Sequence, residues 1–170
     1  MKIIGLLAFA LCISLSSFAQ HGEEVEEDFE HHCKFEERSI IIGLALPYST
    51  GVNTLGVNFR MYYNINEHIC FGPEYSYFKN EEYEIVDFDF IVHYIFETPV
   101  IGIYPLLGAN YTVEEDLEPA EPEIENGLGV VYGAGIHRNV SNFTFFAEYS
   151  RVDFGVDDQF FTAGIMYVFK

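Results

Sequence analysis

The sequence has no tryptophan, three cysteines, and only eight lysine and arginine residues against 27 acidic ones, so its formal net charge is −19. A chain this poor in positive charge has little with which to neutralise phosphates, which disfavours binding to nucleic acid. The cysteines form no paired C-x-x-C motif, which disfavours a zinc-knuckle site. After the first twenty residues, no apolar run approaches the length of a membrane-spanning helix, about 20 residues. If the remaining chain enters a membrane, it must do so as strands closed into a barrel.

The N-terminus has the layout of a secretory signal peptide. Lys2 precedes an apolar run from Ile3 to Phe18, and a small residue, Ala19, follows. The run is too short for a membrane-spanning helix and acidic residues follow it. We therefore predict a cleaved signal peptide at residues 1–19, a disordered acidic segment at 20–37 and a single β domain at 38–170.

The stretch "EIVDFDFIVHYIF", residues 84–96, shows the dominant pattern of this domain. From Val86 to Phe96, its even-numbered positions are all apolar or aromatic. Its odd-numbered positions carry Asp87, Asp89 and His93 among isoleucines. A period of two indicates a β-strand with two unlike faces.

The same pattern and the turn residues between repeats predict eight strands. Their expected bounds are Ser39–Tyr48, Thr54–Asn64, His68–Phe78, Glu84–Phe96, Val100–Thr112, Gly129–Arg138, Phe143–Phe154 and Phe160–Phe169. The connections after the second, fourth and sixth strands are short, whereas the one after the fifth is long and acidic. Short turns at one end and longer loops at the other are typical of outer-membrane barrels. We expect the acidic connection to be a solvated loop, with calcium binding as an alternative that lacks EF-hand spacing.

Alternation alone does not decide which face points inward, because a soluble lipocalin-like barrel alternates too. Two features favour an outward apolar face. The polar face is rich in glycine, which suits a narrow interior. Aromatic residues cluster near strand ends, where a membrane-interface girdle would lie. The residues expected in this girdle are Tyr62, Tyr63, Tyr75, Tyr77, Tyr94, Phe96, Tyr149 and Phe169.

The C-terminal residues carry a family resemblance. From Gly127, "GLGVVYGAGIHRNVSNFTFFAEYSR" and the final "FFTAGIMYVFK" resemble the last three strands of small eight-stranded outer-membrane β-barrel proteins of the OmpA/OmpX and opacity-like type. The resemblance implies an all-β, antiparallel, up-and-down transmembrane barrel in a Gram-negative outer membrane. It also implies that the last strand is read by the barrel-insertion machinery through Phe161, Ile165, Tyr167 and Phe169, although Lys170 follows the terminal aromatic residue.

The polar face supplies the candidate functional residues of the barrel interior. They are Arg60, Glu74, Asp87, Asp89, His93 and Glu148. The lumen of an eight-stranded barrel is just wide enough for side chains to fill, so we predict a structural charge network in which Arg60 bridges acids. The alternative is that the surplus carboxylates bind a proton or a cation, or line a narrow cation-selective path.

Metal-ligand residue types occur in the acidic N-terminal segment. His21, His31, His32 and Cys33 lie there among acids and are weak candidates for zinc or copper. A disordered lead is the favoured interpretation, because low hydrophobicity and high charge resist folding. An exported chain would also allow a disulfide between Cys33 and Cys70.

Motifs for catalysis are scarce. Ser150 shares a face with Glu148, but the sequence has no G-x-S-x-G and no H-E-x-x-H. We therefore predict a non-catalytic envelope protein with a structural or surface-interaction role and no cofactor. Its expected partners are outer-membrane lipid, the insertion machinery and cations at the acidic segments. A narrow pore, a soluble lipocalin-like ligand carrier and a lipid-modifying enzyme remain the alternatives.

Overall fold

The computed structural model describes residues 35, 37–98, 100–117, 123–153 and 157–169. Nine strands run through them: β1 (Ile40–Ser49), β2 (Thr54–Asn64), β3 (Ile69–Lys79), β4 (Tyr83–Tyr94), β5 (Phe96–Glu97), β6 (Gly102–Asp116), β7 (Glu123–Val140), β8 (Phe143–Asp153) and β9 (Asp158–Phe169). No helix among these residues is long and apolar enough to cross a membrane. The predicted signal peptide and residues 20–34 lie outside the described part of the chain.

The strands form one closed antiparallel barrel. Apart from β4 and β5, each strand pairs with its neighbour in sequence, and β1 pairs with β9 along its whole length, from Ile40 opposite Phe169 to Ser49 opposite Phe160. β4 and β5 both pair with β6 in one continuous register, so together they make the fourth of eight barrel strands. The interruption lies at Ile95, opposite Tyr104, and next to Tyr104 is Pro105, which has no backbone N–H to donate. The predicted all-β, eight-stranded antiparallel barrel is confirmed.

The acidic connection between β6 and β7 differs from its prediction. We expected strands to stop at Thr112 and restart at Gly129, but β6 continues to Asp116 and β7 begins at Glu123. Glu114 lies directly opposite Glu125 in this extension. The backbone pairing therefore continues through like-charged cross-strand neighbours as far as Asp116 opposite Glu123. Charge density alone was a poor guide to where the strands end.

The two ends of the barrel are distinct. The terminal end carries the first residue of β1, the last of β9 and the connections at 65–68, 98–101 and 141–142. The distal end carries the connections at 50–53, 80–82, 117–122 and 154–157. At the distal end, Asp158 accepts hydrogen bonds from the Ser49 hydroxyl and the Gly51 amide, which fastens the first connection to β9.

The apolar face of every barrel strand points outward. Large hydrophobic side chains between 38% and 76% exposed encircle the barrel, and we call this surface the apolar belt. It includes Leu44, Leu46, Leu55, Val57, Phe59, Phe88, Phe90, Val92, Ile103, Leu107, Val130, Ile136, Phe145, Phe161 and Ile165. The predicted orientation of the faces is confirmed for these residues. Tyr62 is an exception among the expected girdle residues, because it lies inside the barrel at 2% exposure.

Glycines make room for large side chains inside the barrel. A Cβ on Gly102 would lie 2.1 Å from the His137 ring, and one on Gly135 would lie 2.5 Å from the Tyr104 ring. A ring from the neighbouring strand thus covers each glycine. At these two positions the lack of a side chain on the glycine leaves the space that the ring occupies.

Candidate functional site

Arg60, on β2, is the centre of the luminal polar network. It is 1% exposed, so its guanidinium must be fully paired within the protein. Its Nη1 donates to both carboxylate oxygens of Glu148 at 2.8 Å, and its Nη2 lies 3.0 Å from Oε2 of Glu74. Its Nε donates to the Asn58 amide oxygen at 2.8 Å. The guanidinium also lies over the Phe146 ring, 4.3 Å from its centroid.

The two glutamates have further hydrogen-bond donors. The Tyr104 hydroxyl donates to Glu148 at 2.8 Å, and the Asn58 amide donates to Glu74 at 2.9 Å. The Tyr62 hydroxyl also donates to Glu74. Each carboxylate is thus held by the Arg60 cation and by neutral donors. The neutral donors bond to the carboxylate lone pairs that the ion pair does not use. The arrangement is a rigid cross-link between β2, β3 and β8.

Asp87 and Asp89, on β4, lie on the distal side of this network and are held differently. Asn110 donates to Asp89 at 2.8 Å and to Asp87 at 3.4 Å, and the Thr112 hydroxyl donates to Asp87. None of the residues described forms an ion pair with either carboxylate. The structure therefore brings Arg60 together with Glu74 and Glu148, and leaves Asp87 and Asp89 with neutral partners only.

His93 lies on the terminal side of Arg60, away from both aspartates. Its Nδ1 is 3.4 Å from the Cys70 thiol, and its ring stands edge-on to Tyr62 and Tyr104 with centroids 4.8 Å and 5.0 Å away. The structure describes Cys70 as a free, buried cysteine. Cys33, with which the sequence left a disulfide undecided, lies outside the described residues.

Two small cavities flank the Arg60 network. One of ≈ 20 Å³ lies on the distal side and is lined by Asp87, Asp89, Ser150 and Arg60 among others. One of ≈ 10 Å³ lies on the terminal side, between Phe35 and the Tyr62, His93 and Tyr104 rings. A cavity of 10–15 Å³ holds about one water molecule. Ser150 and His93 line different cavities, so the structure does not assemble them into a nucleophile and base.

In the described ranges, no group of three or more His, Cys, Asp or Glu side chains is arranged to hold a metal ion. His21, His31, His32 and Cys33 lie outside the residues that the structure describes, and the metal hypothesis for them stays a prediction. Phe161, Ile165 and Phe169 of the expected insertion signal lie exposed on the outward face of β9, with Tyr167 half-buried beside them.

Similar folds occur among proteins of known structure. No protein-family model and no curated protein matches the sequence. Solved structures do match, beginning with the N-terminal β-barrel domain of Pseudomonas aeruginosa OprF, with a TM-score of 0.70 at 14% identity over 79% of this chain and 100% of that one. Neisserial surface protein A matches with a TM-score of 0.62 at 15% identity, over 77% of this chain and 96% of that one.

Ail, the attachment invasion locus protein of Yersinia pestis, matches with a TM-score of 0.59 at 21% identity, over 79% of this chain and 100% of that one. The chain has the fold of the small eight-stranded outer-membrane β-barrels. At these identities the likeness establishes the architecture of an outer-membrane-type barrel and leaves its activity to the residues of this chain.

Two side chains of this outer-membrane-type barrel, Tyr62 and Phe35, are buried inside it although the sequence did not place them there. Tyr62 was expected at the membrane interface, yet its hydroxyl binds Glu74 inside the lumen. The available signal was parity, because residue 62 shares the even-numbered, inward side of β2 with Asn58 and Arg60. Phe35 was placed in a disordered segment, yet it is 3% exposed. No periodicity could have located it, because it belongs to no strand.

Proposed function

We propose that this protein is an integral outer-membrane barrel of the Gram-negative type, with a non-catalytic structural or surface-interaction role and a lumen closed by the Arg60 network. The observation that carries the proposal is the inverted distribution of side chains. A charged, fully paired guanidinium lies at the centre of the barrel, while phenylalanines, leucines and valines cover its outside.

The apolar belt supports insertion in lipid. Soluble monomers rarely expose contiguous apolar patches beyond a few hundred Å². Here the exposed hydrophobic residues follow one another on adjacent strands, as with Leu44, Phe59 and Ile165, which are paired across β2, β1 and β9. A lipocalin-like carrier would need the opposite distribution, with an apolar interior and a polar outside.

The filled lumen supports a closed barrel over a narrow pore. Arg60 joins β2 to β8 across the interior, and the cavities on either side of it are ≈ 20 Å³ and ≈ 10 Å³. A hydrated ion needs far more room than one water molecule. The separation of Ser150 from His93 supports a non-catalytic role over a lipid-modifying enzyme.

The distal end is the surface proposed to meet partners. Glu81, Glu82 and Asp157 are exposed there, beside the paired Lys79 and Glu84. Ail was also solved in complex with the heparin analogue sucrose octasulfate, a polyanion. The acidic distal end of this chain favours cationic partners instead, including metal cations in solution. Lipid and the barrel-insertion machinery, engaged through β9, complete the proposed partners.

Two experiments test the proposal. The chain folded in detergent should migrate faster on a gel before boiling than after, and the native protein should fractionate with outer membranes. In planar bilayers the folded protein should give no ion-conducting steps, with a wide porin in the same bilayers as positive control. A soluble periplasmic protein without a heat shift would contradict the membrane assignment. Cation-selective steps that disappear in Asp87→Asn would establish the pore instead.

A further inference from the structure

Phe35 closes the terminal end of the lumen. Its side chain is 3% exposed, and its ring stacks on His137 with centroids 4.9 Å apart and planes at 27°. The Tyr104 ring continues the stack, 5.6 Å from His137. Because Phe35 lies outside every strand, barrel alternation does not force it inside. Its burial reflects a fit between this ring and the end of the lumen.

The space around Phe35 is shaped for one ring. The ring and its surroundings leave a cavity of only ≈ 10 Å³. The walls are apolar and aromatic side chains together with three polar ones: Ile41, Tyr62, Ile95, Tyr104, His137, Met166, Cys70, His93 and Glu148. Engineered cavities with apolar walls bind small aromatic molecules such as benzene.

The chain that carries Phe35 into the lumen turns through a strained position. Arg38 has a φ of 61°, in the left-handed region that side chains other than glycine disfavour. Its amide donates to the Asn64 carbonyl oxygen at 2.9 Å, and the Asn64 amide donates to the Ser39 carbonyl oxygen at 3.0 Å. The buried Oδ1 of Asn64 has no hydrogen-bond partner among the residues described. Both features lie in or beside the turn that joins Phe35 to β1 and raise its free energy, which is the ground for treating the Phe35 ring as exchangeable.

We propose that the terminal end of the lumen is a binding site for a single aromatic ring, and that Phe35 is its exchangeable occupant within the same chain. When Phe35 leaves, the site takes a small uncharged compound with one benzene-type ring. The stacking face is His137, and the depth is limited by Tyr62 and Tyr104 above the Arg60 network. This inference depends on the barrel fold and not on the proposed function.

Cys70 provides the readout, because it lines the same cavity and is 2% exposed. In the full chain carrying Cys12→Ser and Cys33→Ser, it is the single thiol. Methyl methanethiosulfonate labels it when the Cys70 thiolate attacks the reagent sulfur, which forms a mixed methyl disulfide and releases methanesulfinate. We expect Phe35→Ala to raise the labelling rate roughly 10- to 100-fold, as loss of a buried phenylalanine side chain should. Phe35→Leu, which keeps an apolar side chain but loses the ring, should label at an intermediate rate.

The matched control is Phe143→Ala, which removes an outward ring at the same end of the barrel and should leave labelling unchanged. Saturating toluene should restore slow labelling in Phe35→Ala, while heptane at the same saturation should not. Each variant must keep its heat-shifted gel band, so that labelling reports opening and not unfolding. Labelling of both Phe35 variants at the wild-type rate would refute the closing role of Phe35. Fast labelling that toluene fails to slow would refute the ring site, whatever the bilayer recordings give.

Discussion

The two halves of the lumen bury polar groups in different ways. On the distal side, Asp87 and Asp89 face amide and hydroxyl donors. On the terminal side, rings pack against one another, and His93 stands between two tyrosines. Arg60 lies between the halves, and both of its carboxylate partners also accept from a terminal-side tyrosine. The comparison teaches that one narrow barrel interior can hold its side chains by hydrogen bonds in one half and by ring packing in the other. Arg60 connects the two halves.

The largest expected effect comes from removing that cation. Arg60→Met should lower the free energy of unfolding by about 3–5 kcal/mol, because it leaves Glu74 and Glu148 buried without a counter-charge. Urea unfolding of the barrel in lipid or detergent measures the change. The triple variant Arg60→Met/Glu74→Gln/Glu148→Gln should recover most of the loss. A single variant that unfolds at the wild-type midpoint would show that Arg60 does not join the halves energetically.

An intermediate effect is expected from crowding the terminal half. Gly102→Ala places a methyl group 2.1 Å from the His137 ring, on which the Phe35 ring also stacks. Overpacking of this kind costs about 1–3 kcal/mol. Ala147→Val is the matched control, because Ala147 is exposed on the outward face and has room for added methyls. Equal urea midpoints for Gly102→Ala and wild type would mean that the ring stack is loosely packed.

The smallest expected effect belongs to the distal carboxylates. The double variant Asp87→Asn/Asp89→Asn should raise the free energy of unfolding by up to about 1 kcal/mol, because it removes one buried and one half-buried charge that have only neutral partners. Glu148→Gln is the same chemical change at an ion-paired site and should destabilise instead. If both variants destabilised equally in urea, the two halves would not differ in how they hold charge.

The sequence predicted the barrel well because a period of two is a local signal. The inward residues of β4 could be read directly from the sequence. The bounds of all eight strands were predicted within a few residues, except at the acidic connection between β6 and β7. The ends of β6 and β7 were missed, because pairing through Glu114 and Glu125 depends on the neighbouring register and not on local charge.

The partners inside the lumen were harder to predict. Glu74 lies opposite Arg60 on the adjacent strand, but Glu148 reaches it from across the barrel, 88 residues away in sequence. That contact depends on how the closed barrel staggers its strands, which no single sequence shows. Phe35 depends in the same way on a left-handed turn at Arg38.

The β1–β9 pairing also constrains how the molecule is made. Among the described strands, β1 finds its second neighbour only when the last strand, Asp158–Phe169, is available. Pairing between the extremes of a chain is slow, because a long loop must be closed before any of its contacts form. Until then β1 has an unpaired edge and its apolar face is exposed, and such a state is prone to aggregation. Pairing of β1 with β9 is therefore the step at which a chaperone would most increase the yield of folded protein.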